Sequence, residues 1–529
     1  MYVPLTPLEF RRRAERLFGR KVGVIDREKR FTYAEFGERS RRLAAVIRQL
    51  GVAPGDVVSF LTYNTHHLLE AFYGVPQARA VLHPINIRLH AREISALLNH
   101  AESRALFFHR EFAPVVEAIR DNLETVREFV ILEPDGGARL GYAAEYEALV
   151  GTAAPLLVDP DVDENSVAEL FYTSGTTDRP KGALLTHRAL YLHALNLIIA
   201  MRYTDETVLL HVVPMFHANA WSSPHTVTGV GGTHIVLQKV DPVAIFRSIQ
   251  EERVTVLCAV PSVLNTLVRH PQIGRYDLGS VQLVFTGGAP VSVTLMKEVR
   301  DAFGCETFVA YGLTEAGPLV TTARPKAHLR HETAQRQLER RASAGYAVLG
   351  VDVRVVDPEG VDVAPDGAAV GEIVARSHTI MDQYHREPGA TSDAIRDGWL
   401  HTGDLATIDS EGYLNIVDRK KDIIISGGEN ISSVQVENVL YAHPALFECA
   451  VIAVPDERWG EVPKALVVLK PGMMATEADL REFCRERLSH FMAPKSVDFV
   501  SELPKSGTGK ILKSKLREKY WAGHLRRVN

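Results

Sequence analysis

The chain has 529 residues, 46% hydrophobic and 24% charged, a length several times that of an ordinary domain and a balance that excludes extended disorder or a membrane-embedded polypeptide. Its 60 basic and 65 acidic side chains leave a net charge of -5, which supplies no overall field for holding nucleic acid, so a polyanionic ligand must be held by a local site. The four cysteines, Cys258, Cys305, Cys449 and Cys484, have neither metal-ligand spacing nor a disulfide framework and are expected to be reduced core thiols.

In chain order, Arg11, Arg12 and Arg13 have no apolar run behind them, unlike a signal peptide, and no stretch is long and apolar enough to span a bilayer. A cytoplasmic protein is expected, with peripheral membrane contact left open. From about residue 55 to about 320, short β-rich runs ("VVSFLTYN", "ALFFHR", "VTVLCAV", "VQLVFTGG") alternate with amphipathic helical patterns. Two such helices are His90 to Ala101, with Ile94, Leu97 and Leu98 on one face, and Ser292 to Phe303, with Val293, Met296 and Val299. This pattern predicts a large α/β body of layered parallel sheets. Residues Gln335 to Arg341 read as a solvated helix face.

After about residue 345, "GVDVRVVDPEG" and "LATIDSEGYLNIVD" predict a β-rich subdomain with hairpin turns at Pro-Glu-Gly and Ser-Glu-Gly. Beyond "DRKKD" the chain starts again with a helix, for which Ser432 and Gln435 suggest a capping box. Strands follow near Ala450 to Val454 and Ala465 to Leu469, and a second helix starts at Thr476. The fold class expected is therefore α/β: residues 1–419 as a large N-terminal part with the β-rich subdomain, and 420–529 as a small α+β domain.

The most informative segment is "LFYTSGTTDRPKGALLTH", an apolar strand, a loop of hydroxyls and glycine, a lysine and a helix. By chemistry it is a phosphate loop: Gly175 lets backbone N–H groups approach phosphate oxygens, Thr173, Ser174, Thr176 and Thr177 add hydroxyl donors, and Lys181 adds a point charge. Its spacing is not that of a Walker loop. Further on stand "PMFHANAW", "TGGAP", "YGLTE", "HTGD", "DRKKDIIISGGENIS" and "PKSGTGK".

In these motifs, in this order, the chain resembles the adenylate-forming superfamily of acyl-CoA synthetases, luciferases and peptide-synthetase adenylation domains. Its "FHANAW", "NIRLH", "LNHAE" and "SGGENISS" look most like bacterial medium- and long-chain fatty acyl-CoA synthetases. One departure is Asp178, where the family usually has glycine. The resemblance implies ATP and coenzyme A as co-substrates, Mg2+ as cofactor, a carboxylic acid as the small-molecule partner, and dimerisation as a family-level expectation. It assigns the adenine to Tyr311, Gly288 and Ala289, the α-phosphate to Thr314, the metal to Glu315 and the ribose to Asp404 and Arg419. Lys510 becomes the catalytic lysine of adenylate formation, bridging two anions as they meet. His217, Trp221, Gly287 and Gly312 are expected at the acyl pocket, with His217 between that pocket and the thioester site. Gly427, Gly428 and Glu429 are expected to line the coenzyme A passage, and Lys421 to be the hinge about which the C-terminal domain rotates. The resemblance leaves open an aryl acid or methylthiopropionate as substrate. Two rivals remain: an acyl-AMP ligase that does not use coenzyme A, and a binding protein that has lost catalysis.

Overall fold

The computed structural model describes residues 3–133, 140–173, 180–506 and 509–522. Two large sheets form the body. The first runs, edge to edge, Ala144–Glu145, Glu128–Ile131, Ser103–Phe108, Val57–Leu61, Val81–Pro84, Val167–Thr173, Lys181–Thr186. Its strands are parallel except for the last pair, in which Thr173 opposes Lys181. The second runs Tyr346–Ala347, Leu319–Thr322, Glu306–Gly312, Leu283–Thr286, Val256–Cys258, Val208–His211, Thr233–Val236, Val22–Asp26, Lys29–Thr32. Its centre is parallel, and the strands run as continuous apolar segments such as Leu283–Thr286, buried throughout, as expected where helices cover both faces.

The predicted helices form. Ala91–His100 buries Ile94, Leu97 and Leu98, and Val293–Phe303 starts where the Ser292 side chain accepts the Leu295 N–H, satisfying an otherwise orphaned donor. A five-stranded sheet of Val351–Val356, Gly371–Ser377, Ile395–Arg396, Trp399–Ile408 and Leu414–Arg419 follows, antiparallel throughout. The fourth sheet gathers Ile424–Ser426, Glu429–Ile431, Leu446–Asp456, Gly460–Leu469 and Ser496–Phe499 with the helices Ser433–Tyr441 and Glu477–Arg485. These bury their own apolar cluster, including Ile424, Val436, Leu440, Val451 and Val467.

Four details differ from the sequence expectation. Beyond "DRKKD" the chain first makes a hairpin, Ile424–Ser426 with Glu429–Ile431, because Gly427 and Gly428 supply left-handed backbone at its tip. The capping box at Ser432 is half formed: Ser432 Oγ accepts the Gln435 N–H, while its own proton goes to the Val417 carbonyl. In the helix Ala334–Ala342, Arg340 is buried rather than solvated; Glu332 and Asp409 hold its guanidinium and Tyr413 stacks on it. The strands Val22–Asp26 and Lys29–Thr32 are also new, the first pairing in parallel with Thr233–Val236 some 200 residues later. Among the described residues no helix is long and apolar enough to cross a membrane.

Candidate active site

The site lies where strands of the second sheet end, the place at which open α/β sheets receive ligands. Glu306–Gly312 delivers Tyr311, whose hydroxyl donates to Asp404 Oδ2 at 2.8 Å. The other oxygen of Asp404 lies 3.1 Å from Arg419 Nε. The antiparallel pairing of Trp399–Ile408 with Leu414–Arg419 puts Asp404 directly opposite Arg419, so the ion pair follows from strand register. Burial beside the Asp404 carboxylate raises the Tyr311 phenol well above its usual range, which keeps it a hydrogen-bond donor. Burial pulls Arg419 down, but Asp404, Tyr311, Asp422 and Glu315 together outweigh it and the guanidinium is held firmly charged. Each Asp404 oxygen keeps a lone pair beyond these contacts.

Glu315 lies on the short turn Thr314–Ala316 that follows the same strand, and both Thr314 and Glu315 are buried. Glu315 Oε1 accepts from Thr173 Oγ1 at 3.2 Å and from the Tyr384 hydroxyl at 2.8 Å. The structure thus brings the end of the strand Val167–Thr173 against the turn at Thr314. Lys181 lies with its Nζ 5.1 Å from the centre of the Tyr384 ring. Ser174, Gly175, Thr176, Thr177 and Asp178 lie outside the described residues.

Tyr384 was not singled out by the sequence. The segment 382–385 hydrogen-bonds alongside the strand Lys181–Thr186, with Ala183 paired to Tyr384. That pairing across 200 residues places the phenol between Lys181 and Glu315. Nothing in "MDQYHRE" announces it, since no local spacing marks a residue recruited by a distant strand edge.

Lys510 reaches the site from the C-terminal part of the chain. Its N–H and carbonyl close a tight turn with Ser506, and Ser262 Oγ donates to the neighbouring Gly509 carbonyl at 3.2 Å. Val260 and Ser262, which follow the strand Val256–Cys258, form the seat for this turn. Burial, reinforced by the positive charge of Arg419, lowers the Lys510 ammonium to about 8 against the opposing pull of Asp404 and Asp422. Two further contacts join the parts: Asn265 Nδ2 to the Phe447 carbonyl at 3.1 Å, and Arg88 to the Ser506 carbonyl.

The acyl-side residues gather at a neighbouring strand end. His217 is half-buried, and burial together with Lys510 pushes its imidazole down to about 4, leaving it neutral at pH 7. From Ala218 to Ser222 five consecutive residues have φ between 39° and 59°, a left-handed turn of non-glycine residues costing roughly 1–2 kcal/mol for each. It swings Trp221 into the core, where the indole meets Phe285 edge-on with ring centres 6.5 Å apart. The indole also covers Gly287, where a β-carbon would stand 2.8 Å from Trp221 Cζ2 and 2.3 Å from the Ala310 carbonyl. Only glycine admits that approach. Gly288 is exposed and Ala289 half-buried on the loop beyond Leu283–Thr286, while Gly312 ends the strand that carries Tyr311.

Gly427, Gly428 and Glu429 are exposed at the hairpin tip. Gly427 lies under the half-exposed Trp459 indole and donates its N–H to the Trp459 carbonyl, so a packing role accounts for that tryptophan. Lys421 sits in the turn between Arg419 and Ile424, its ammonium lowered by burial and by Arg419. The residues around it are tied to two sides. Asp418 accepts from the Ser433 N–H and hydroxyl, and Asp422 pairs with Arg517, both within the C-terminal sheet and helices. Arg419 pairs with Asp404, and Lys420 donates its N–H to the Gly403 carbonyl, both in the body.

A magnesium ion fits the donors at Glu315. Oε1 is occupied by two hydroxyl donors while Oε2 has no recorded donor among the described residues, and magnesium takes one or two carboxylate oxygens alongside substrate phosphates. A second grouping, His66, His67 and Glu147, has ligand atoms within 4.8 Å. There Arg39 already grips both Glu147 oxygens, at 2.7 and 2.9 Å, and imidazoles suit softer ions than magnesium.

Residues 10–385 match the family model described as AMP-binding enzyme, and residues 435–510 that of the AMP-binding enzyme C-terminal domain. Among curated proteins, the peroxisomal benzoate–CoA ligase of Arabidopsis thaliana is 39% identical over 98% of this chain and 93% of its own length. The medium-chain-fatty-acid–CoA ligase of Ectopseudomonas oleovorans is 36% identical over 93% of this chain and 91% of its own. Among solved structures, ATP-bound MatB from Rhodopseudomonas palustris is 28% identical and superposes with a TM-score of 0.87, covering 98% of this chain and 99% of that one.

Proposed function

Because the chain belongs to the AMP-binding enzyme family and is an AMP-forming acid–CoA ligase, we propose that it activates a medium- or long-chain fatty acid, with both half-reactions run at this one site. In the first, a carboxylate oxygen of the acid attacks the α-phosphorus of ATP and pyrophosphate leaves. In the second, the coenzyme A thiol attacks the acyl carbonyl, loses its proton, and AMP leaves. The observation that carries the assignment of roles is the docking of the Lys510 turn on Val260 and Ser262, beside the Tyr311–Asp404–Arg419 cluster.

In this assignment Asp404 receives the ribose hydroxyls through its free lone pairs, with Tyr311 and Arg419 fixing its carboxylate. Thr314 contacts the α-phosphate, and Lys181 and the hydroxyls from Thr173 to Thr177 hold the outer phosphates. Magnesium held at Glu315 would neutralise triphosphate charge. Lys510 places an ammonium between the attacking carboxylate and the phosphate oxygens, offsetting repulsion that peaks as they approach. For the second half-reaction the part beyond Lys421 turns, withdrawing Lys510 and bringing Gly427, Gly428 and Glu429 to the pantetheine. The domain division at residues 419 and 420 is part of this proposal, as is a cytoplasmic location, although the benzoate ligase relative is named as peroxisomal.

The wall made by Ala218, Ala220, Trp221 and Val260 favours an apolar tail, since a charged group there would go unpaired. The neutral His217 offers no anchor for an amino group. A second acid class is favoured by one feature: Trp221 of that wall is an aromatic backed edge-on by Phe285, and an aromatic surface suits an aryl acid. Coenzyme A-dependent AMP formation, measured with ATP and magnesium across acids from acetate to palmitate plus benzoate and methylthiopropionate, decides between them. A single window at six carbons or longer supports the proposal, and turnover confined to benzoate overturns it. AMP without thioester would move the enzyme to the class that does not use coenzyme A.

The Lys510 ammonium also sets a pH dependence. The charged form is required, and it is lost as pH rises through about 8, so kcat/KM for ATP in pyrophosphate release should fall above that value, approaching tenfold for each further unit. ATP binding adds negative charge and raises the group, so kcat should hold to higher pH. With His217 near 4, no inflection from it is expected between pH 6 and 7. A profile flat to pH 10 would remove Lys510 from the step.

A further inference from the structure

The left-handed turn at residues 218–222 is held by a buried polar cluster that none of the assigned roles uses. Glu169, Asn219 and His225 are all fully buried. His225 Nε2 lies 2.7 Å from Glu169 Oε1, and Asn219 Nδ2 lies 3.2 Å from Glu169 Oε2. His225 Nδ1 has no hydrogen-bond partner among the described residues, so the ring proton belongs on Nε2, aimed at the carboxylate. On the other side, Asn219 Oδ1 accepts the Ser222 N–H at 2.5 Å. Within the turn the Ala220 and Trp221 N–H groups go to the carbonyls of His217 and Ala218; at Ser222 the Asn219 side chain takes over that part. A carboxylate only accepts, so Glu169 forces the Asn219 amide to face it with its NH2 group and leaves the oxygen for Ser222. The charge thereby fixes an amide orientation that a neutral partner would leave free to flip.

Glu169 also has a particular place on its strand. In Val167–Thr173, residues 169, 171 and 173 point to one face, so the carboxylate that locks the acyl-side turn and the threonine that touches Glu315 stand on the same face of one strand. Phe72 and Tyr73 meet the His225 ring edge-on at 5.6 Å each and leave it no room to turn away.

We propose that Glu169, with Asn219 and His225, is a positioning residue that locks the turn at 218–222 in its left-handed form and thereby sets which acids the enzyme accepts. It touches no substrate and acts through the placement of His217 and Trp221. The proposal rests on the acid-activating assignment of the site.

The test is the acid panel run on Glu169→Gln, a replacement of equal size whose amide can present a donor to Asn219 and release the flip. The expected result is a loss of about tenfold or more in kcat/KM for the preferred acid, with the ratio of preferred to poor acids compressed by a similar factor. KM for ATP at saturating acid should stay within about twofold, because the Tyr311–Asp404–Arg419 cluster is untouched. His225→Gln, which keeps an N–H for the carboxylate, should retain the wild-type ranking, whereas His225→Phe should lose it. If Glu169→Gln melts too low to assay, Asn219→Ser, which removes the amide with little change in packing, carries the same readout. An unchanged ranking of acids, or a loss shared equally by ATP and every acid, overturns the proposal. A wild-type enzyme that forms AMP with no acid at all would instead overturn the functional assignment, and the two failures are told apart on that control.

Discussion

Replacing Lys510 with alanine is expected to slow acyl-adenylate formation by about 100- to 1,000-fold, the usual effect of deleting one donor aimed at developing charge. The backbone of the turn is held by Ser506 and by Ser262 through Gly509, so truncation beyond Cβ leaves the turn in place and the loss falls on chemistry. The surroundings sharpen the effect. Arg419 and Lys421 depress the ammonium while Asp404 and Asp422 retain it, and no other cation among them belongs to the turn that docks at Val260. Single-turnover pyrophosphate release measures the first half-reaction, and thioester formation from synthetic acyl adenylate measures the second. The second should stay within about twofold of wild type, since Lys510 is not asked to act in it. Equal losses in both would mean that the alanine disturbs the docking of the two parts rather than the adenylation step.

Asp404→Asn is expected to have the next largest effect. The carboxylate accepts from Tyr311 and pairs with Arg419 while offering its remaining lone pairs to the ribose. An amide can keep only one acceptor atom, so either the Tyr311 or the Arg419 contact is lost, and the ribose loses a charged acceptor. Hydrogen bonds to charged groups contribute about 1.5–3 kcal/mol each, which corresponds to a rise in KM for ATP of roughly 10- to 100-fold. Stability should fall as well. Removing one partner of a fully buried pair costs about 3–5 kcal/mol, but Arg419 keeps 37% of its side chain exposed, so solvent screening reduces the expected loss to about 1 kcal/mol. Isothermal titration with ATP and a denaturant titration separate the two effects. Unchanged ATP affinity would remove Asp404 from the nucleotide site.

The parts of this site legible in the sequence are those whose chemistry is contiguous. Tyr311, Thr314 and Glu315 fall within five residues and sit where a strand ends, so their convergence needed no knowledge of the rest of the chain. Asp404 and Arg419 stand in separate motifs, and the antiparallel register of two strands brings them face to face. Tyr384 and Glu169 were invisible for the opposite reason. One is recruited by a strand edge laid down 200 residues earlier, and the other is an acidic residue inside an apolar strand whose partners lie 50 and 56 residues away. Local pattern likewise overstated the exposure of Arg340, because Glu332, Asp409 and Tyr413 meet it only in the folded chain. It also missed the strands at Val22 and Lys29, whose place in the sheet depends on residues near His234.

Between Asp418 and Asp422 the two outer, acidic residues are sewn to Ser433 and Arg517, and Arg419 and Lys420 between them to Asp404 and the Gly403 carbonyl. Stitches set into both sides of a seam carry tension across it, so pulling the halves apart loads every one of them. Twisting one half about the seam loads mainly the backbone between Lys420 and Asp422, where the stitching passes from one side to the other. The joint is therefore stiff against separation and compliant in torsion, as an axle is, which is the mechanical property that the proposed turn of the small part about Lys421 requires.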